Sequence, residues 1–170
     1  MSTAVLSIGS NLGDRLALLQ SVFEDLGSRV TAVSPVYETE PWGGVEQRPF
    51  LNAVVIASDD VDPIGWLDLG QALENAAGRV RTQHWGPRTL DVDIVTVADP
   101  APVQCATERL TLPHPLAHER AFVLVPWLAA DPSATLTVDG VQRPVAELVA
   151  ALDPAERAGV RRTDLELSCG

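Results

Sequence analysis

The chain reads as an α+β protein with a ferredoxin-like (βαββαβ) antiparallel sheet, two helices on one face, and extra helices and a hairpin toward the C-terminus. Three observations lead there. Apolar stretches over the first 98 residues follow the order strand, helix, strand, strand, helix, strand. The connection between the second and third strands carries Pro41, Gly43, Gly44 and Pro49. No helix fits there, and a doubly wound parallel sheet would need one. Both helical stretches repeat apolar residues every three or four positions, as helices do when one side covers a sheet.

Each element has its own signal. The run Thr3 to Ile8 predicts a buried strand. Gly9 to Asp14 predicts a turn, with Ser10 or Asn11 capping the next helix. Leu16, Leu19, Val22, Phe23 and Leu26 fall at helical spacing, and Gly27 is the stop. Val30 to Tyr37 predicts a second strand, interrupted at Ser34-Pro35. Glu38 to Pro49 is expected to be a loop, and Phe50 to Ala57 a third strand. Asp62-Pro63 opens a second helix, with Ile64, Leu67, Leu69, Leu73 and Ala77 as its apolar side and Gly78 at its end. A polar loop, Arg79 to Arg88, precedes a fourth strand, Leu90 to Val97.

Farther on, Asp99 to Pro102 predicts a turn, and Leu110 and Leu112 flank a short strand. Glu119 to Ala130 predicts a short helix that Pro126 breaks or kinks. A hairpin is expected from Thr135 to Arg143 around Asp139-Gly140, then a last helix from Pro144 to Leu152. The 170 residues are expected to form one domain, with a core over about 3–152 and a charged, loosely attached tail over 153–170.

Composition narrows the function. The formal net charge is −11, whereas nucleic-acid binders present basic surfaces. No apolar run reaches the roughly 18 residues that a membrane span needs. Met1 to Gly9 lacks a basic leader, and Cys105 and Cys169 suit free thiols; a cytoplasmic monomer is the expectation. Lysine is absent, which removes Schiff-base chemistry and a Walker A lysine. Residues 79–120 hold five arginines, five acids and all three histidines, against seven arginines and eighteen acids elsewhere. A locally neutral, Arg- and His-rich segment in an acidic chain points to a small anionic ligand.

The most telling stretch is His84-Trp85-Gly86-Pro87-Arg88-Thr89-Leu90-Asp91-Val92-Asp93-Ile94-Val95. Asp91 and Asp93, two apart on a strand, project to one face, while Val92 and Ile94 point into the core. With Arg88 just upstream, the pair suits Mg²⁺ and a polyphosphate, because Mg²⁺ takes one or two carboxylates and leaves its other positions to water and phosphate. Trp42 and Trp85, each in a loop marked by glycine and proline, suit stacking on a planar heterocycle. Gly9-Ser10-Asn11-Leu12-Gly13 matches neither Rossmann nor Walker spacing and reads as a capped turn. His114 and His118 are four apart, but the flanking prolines argue against a helical zinc pair. From the residues alone, another metal-dependent phosphotransferase, a nuclease and a non-catalytic binding module stay open.

These stretches resemble the 6-hydroxymethyl-7,8-dihydropterin pyrophosphokinase family over roughly Thr3 to Leu152. Beside His84 to Val95, the resemblance rests on Gly9 to Gly13, Phe50-Leu51-Asn52-Ala53, Gly78-Arg79-Val80-Arg81, and Leu112-Pro113-His114-Pro115 with Arg120. It implies transfer of diphosphate from ATP to the pterin hydroxymethyl group in folate biosynthesis, with AMP released and two Mg²⁺ ions used. It further implies that Asp91 and Asp93 hold both metals. Arg81, Arg88, His114 and Arg120 match positions that contact the ATP phosphates, and Gln71, Glu74, Ile94, Arg109 and Thr111 match the nucleotide cradle. Thr39, Pro41, Trp42, Phe50, Asn52, Asp91 and Phe122 match the pterin site, with the ring between Phe50 and Phe122 and Trp85 closing over it.

Overall fold

The computed structural model describes residues 1–40, 48–77 and 90–168. The first strand, β1 (Ser2–Ser10), leads through a turn to α1 (Arg15–Leu26). Two short strands follow, β2 (Val30–Val33) and β3 (Tyr37–Thr39), then the long β4 (Phe50–Asp59), α2 (Pro63–Ala76) and β5 (Asp91–Ala98). Beyond these come β6 (Cys105–Ala106), β7 (Thr111–Leu112), α3 (Ala121–Ala130), β8 (Thr135–Val138), β9 (Val141–Pro144), α4 (Val145–Ala151), α5 (Pro154–Ala158) and β10 (Val160–Arg162). The main sheet runs β10-β3-β4-β1-β5, with β2 sharing the β3 edge of β4, and its pairings are antiparallel. This is the expected ferredoxin-like order.

Two apolar layers hold the sheet. On one face, Leu19, Val22, Phe23 and Leu26 of α1 and Trp66 and Leu73 of α2 pack on Leu6, Ile8, Val55, Val92 and Ile94. On the other, Val123, Leu124 and Trp127 of α3, Leu136 and Val145 cover Val5, Val54, Ile56 and Val95. This second layer spans only part of its face, so polar side chains at the start of β5 and β4 lie beyond it.

Several expectations change. Gly9 and Ser10 continue β1, and the N-cap of α1 is Asp14, whose side chain accepts from Ala17 N, rather than Ser10 or Asn11. Gly27 does end α1, at a positive φ of 54° that favours glycine. The second strand is interrupted at Ser34-Pro35 as expected, but it resumes through Glu38 and Thr39, which were expected in the loop. At the break, Ser34 Oγ accepts from Val54 N, so the gap in the ladder is filled by a side chain. Pro126 is accommodated without breaking α3. The hairpin turns at Asp139-Gly140, both at positive φ, which suits the twist of its strands.

The largest correction concerns the C-terminus. Residues expected to be loosely attached instead form α5 and β10, and β10 joins the sheet edge at β3. Leu167 is buried in the core, and Thr163 N and Val36 N exchange backbone bonds with Val36 O and Leu165 O. No helix among the described residues is long and apolar enough to cross a membrane.

Candidate active site

Register fixes the site. Gly9 of β1 stands opposite Asn52 on one side and Asp91 on the other, and Ser7 stands opposite Val54 and Asp93. Directly paired residues share a face. Asn52, Asp91 and Asp93 therefore lie on the face that α3 only partly covers, while Val92 and Ile94 are buried beneath α1 and α2. The carboxylates are partly exposed, Asp93 to 42% of its side chain, and Arg120 Nη1 lies 3.9 Å from Asp93 Oδ2. The Arg120 guanidinium also sits 5.4 Å from the centre of the Phe122 ring. One arginine at the start of α3 thus spans an acidic group and an aromatic one.

Asn52 is buried and directed. Its Nδ2 donates to Thr39 Oγ1 at 2.6 Å. A side chain on Gly9 would overlap Asn52 Oδ1, so the glycine leaves room for the carboxamide beside Asp91. The sequence offered only a glycine turn here; the role of Gly9 comes from its strand neighbours. Tyr37, opposite Asn52 and 6% exposed, was also missed. Burial raises its pKa, and the Arg162 cation partly counters that. Phe50 starts β4, and Phe122 lies in the first turn of α3; both are half-buried.

A second group lines the edge of β5 that faces away from β1. Glu74, buried in α2, accepts from Val92 N at 2.9 Å. His114 N donates to Val95 O at 2.9 Å. His114 Nδ1 accepts from Leu116 N at 3.2 Å, so the neutral ring carries its hydrogen on Nε2. Burial, with help from the Arg120 cation, lowers the His114 pKa to about 4. The ring is therefore a neutral donor near pH 7. Arg109, exposed between β6 and β7, pairs with Asp68 of α2 at 2.5 Å. Thr111 of β7 and Gln71 of α2 are exposed. Ile94 differs: its side chain is 5% exposed within the core. What it can offer a ligand is its backbone on the outer edge of β5.

Pro41, Trp42, Arg81, Trp85 and Arg88 lie outside the described residues, as do His84 and Cys169. Among the described residues, no three His, Cys, Asp or Glu side chains gather as a metal cage. The donor set at Asp91 and Asp93 is instead two hard carboxylates, which fits Mg²⁺ held jointly with phosphate oxygens. It does not fit a closed zinc site.

By fold the molecule is a ferredoxin-like α+β protein, and its candidate site joins paired carboxylates to an arginine and the Phe122 ring. The chain belongs to the 7,8-dihydro-6-hydroxymethylpterin-pyrophosphokinase (HPPK) family, whose sequence model matches residues 5–132. It is 56% identical over 168 residues to the 2-amino-4-hydroxy-6-hydroxymethyldihydropteridine pyrophosphokinase of Mycobacterium tuberculosis H37Rv, covering 95% of this chain and 89% of that one. The protein of the same name from Mycobacterium leprae is 58% identical over 175 residues, covering 98% and 92%. That of Bacillus subtilis is 40% identical over 127 residues, covering 72% and 74%. Among solved structures, wild-type Plasmodium falciparum HPPK-DHPS with pteroate matches with a TM-score of 0.65 at 13% identity. That match covers 88% of this chain and 44% of the longer one, and it speaks to the fold.

Proposed function

We propose that the chain transfers the terminal diphosphate of ATP to the hydroxymethyl oxygen of 6-hydroxymethyl-7,8-dihydropterin, releasing AMP, as a cytoplasmic monomer in folate biosynthesis. The bond from that oxygen to the β-phosphorus forms as the bridge between the α- and β-phosphates breaks. The hydroxyl proton passes to solvent. Such transfers need positioning and charge neutralisation more than covalent help from the protein.

Asp91 and Asp93 are the residues to hold Mg²⁺, two ions in this reading. Bound there, the metal would neutralise phosphate charge and ease attack by the hydroxyl oxygen. Arg120 and the Nε2–H of His114 donate to phosphate oxygens, joined by Arg81 and Arg88. Gln71, Glu74, Ile94, Arg109 and Thr111 border the nucleotide along β5. Thr39, Pro41, Trp42, Phe50, Asn52, Asp91 and Phe122 form the pterin side, with Trp85 closing it. The carboxamide of Asn52 has both a donor and an acceptor to read a heterocycle edge.

The observation that carries this reading is Arg120, which reaches Asp93 at 3.9 Å and lies over the Phe122 ring at 5.4 Å. It links the phosphate side of the site to the aromatic side. The test is to supply ATP, Mg²⁺ and the pterin and to separate the nucleotide products. AMP is the expected product; ADP would mean a different phosphotransferase, and binding without turnover a non-catalytic module. Asp91→Ala or Asp93→Ala should lower turnover by about a hundredfold or more, given the several kcal/mol that metal charge stabilisation supplies. Circular dichroism should show the fold retained.

A further inference from the structure

We infer that the C-terminal strand β10 is a positioning element for Asn52, working through Arg161 and Thr39. The inference rests on the reading of Asn52 as a pterin contact. The family match ends at residue 132, so β10 lies beyond it, yet β10 forms the edge next to the site. Its register sets Val160 opposite Thr39, Arg161 opposite Glu38, and Arg162 opposite Tyr37.

Arg161 Nη2 reaches Glu38 Oε1 at 3.3 Å and Glu40 Oε1 at 3.2 Å. These two glutamates flank Thr39. The other oxygen of Glu38 takes Arg15 Nη1 at 3.2 Å, and the same nitrogen donates to Pro49 O at 2.9 Å, just before Phe50. A chain of charge-assisted contacts therefore ties β10, β3, α1 and the start of β4 together on the helix-covered side. Thr39 faces the opposite way, is 3% exposed, and accepts the Asn52 Nδ2 bond of 2.6 Å. Fixing the backbone at Glu38 and Glu40 fixes Thr39 Oγ1 and so aims the carboxamide.

Without β10, the three residues of β3 would be the edge of the sheet, paired on one side only, with β4. The ion pairs are partly exposed, so their share of global stability is small. Their effect is local, on where one amide points.

Arg161→Ala and Arg161→Lys test this, with Arg143→Ala on the exposed hairpin as control. In the unliganded protein, the side-chain NH₂ of Asn52 should exchange its hydrogens faster in Arg161→Ala than in wild type, with Arg161→Lys in between. In turnover assays, the KM for the pterin should rise about three- to fivefold in Arg161→Ala, the range a partly exposed ion-pair network supplies. The KM for ATP and kcat should change by less than about twofold, and Arg161→Lys should recover most of the loss. Unchanged Asn52 exchange, or an equal rise in both KM values, would overturn the inference. Failure of the wild type to form AMP would count against the functional reading instead, and the exchange measurement would still decide this one.

Discussion

At His114 a hydrogen bond fixes the tautomer, and burial beside a cation fixes the charge state. Leu116 N donates to Nδ1 at 3.2 Å, and a proton on that nitrogen would break the bond inside a half-buried pocket beside Arg120. Burial first, and the Arg120 cation second, move the pKa from its ordinary 6.5 to about 4. The unfolded chain then binds more protons at this residue than the folded one between about pH 4 and 6.5. The stabilisation is complete above pH 6.5 and is lost as the pH falls through about 4. Its full size is about 3 kcal/mol, at 1.4 kcal/mol for each decade of proton affinity. Urea unfolding of wild type and His114→Asn at pH 7 and pH 4.5 should show their stability difference shrinking by about 2 kcal/mol on acidification. A difference independent of pH would refute the assignment.

Between elements, the central contact is the one α2 makes with β5. Glu74 accepts from Val92 N, the amide between the two aspartates. The helix therefore holds the strand that presents both carboxylates, from the side they do not face. Glu74→Ala would leave a buried N–H without its acceptor, at a cost of about 1–3 kcal/mol. For a chain of this length calorimetry should read a fall in Tm of about 5 °C, and Glu74→Gln, which keeps an acceptor oxygen, should lose less than half of that. A Glu74→Ala protein as stable as wild type would dismiss the contact. None of this was legible locally. Alternation revealed that Asp91 and Asp93 share a face, because that follows from strand geometry alone. The backbone partner of Glu74, eighteen residues away, depends on how a helix docks. The misplaced cap of α1 has the same origin: Gly9 and Ser10 look like a turn until β4 pairs with both and β5 pairs with Gly9. The tail misled for a similar reason, since three residues with two arginines make a strand only where the edge of β3 offers them a backbone to pair with.

For the molecule as a whole, the problem is to bring a polyanion to a protein with a net charge of −11. The twelve arginines cannot offset twenty-three acids overall, and the site itself contains two of those acids. Nucleotide binding through Asp91 and Asp93 alone would set like charges against each other. A divalent cation reverses that sign, so metal and nucleotide should bind with positive coupling, each raising the affinity for the other. A ligand that binds only the folded state at about a hundred times its Kd adds about 2.7 kcal/mol, or roughly 5–10 °C in Tm for a chain of this size. A non-hydrolysable ATP analogue with Mg²⁺ should produce that shift, while either one alone should produce little. In Asp91→Ala or Asp93→Ala the combined shift should fall to that of the analogue alone. If the analogue stabilised the wild type equally in EDTA, nucleotide binding would have to rest on the arginines and His114, and the aspartates would need another role.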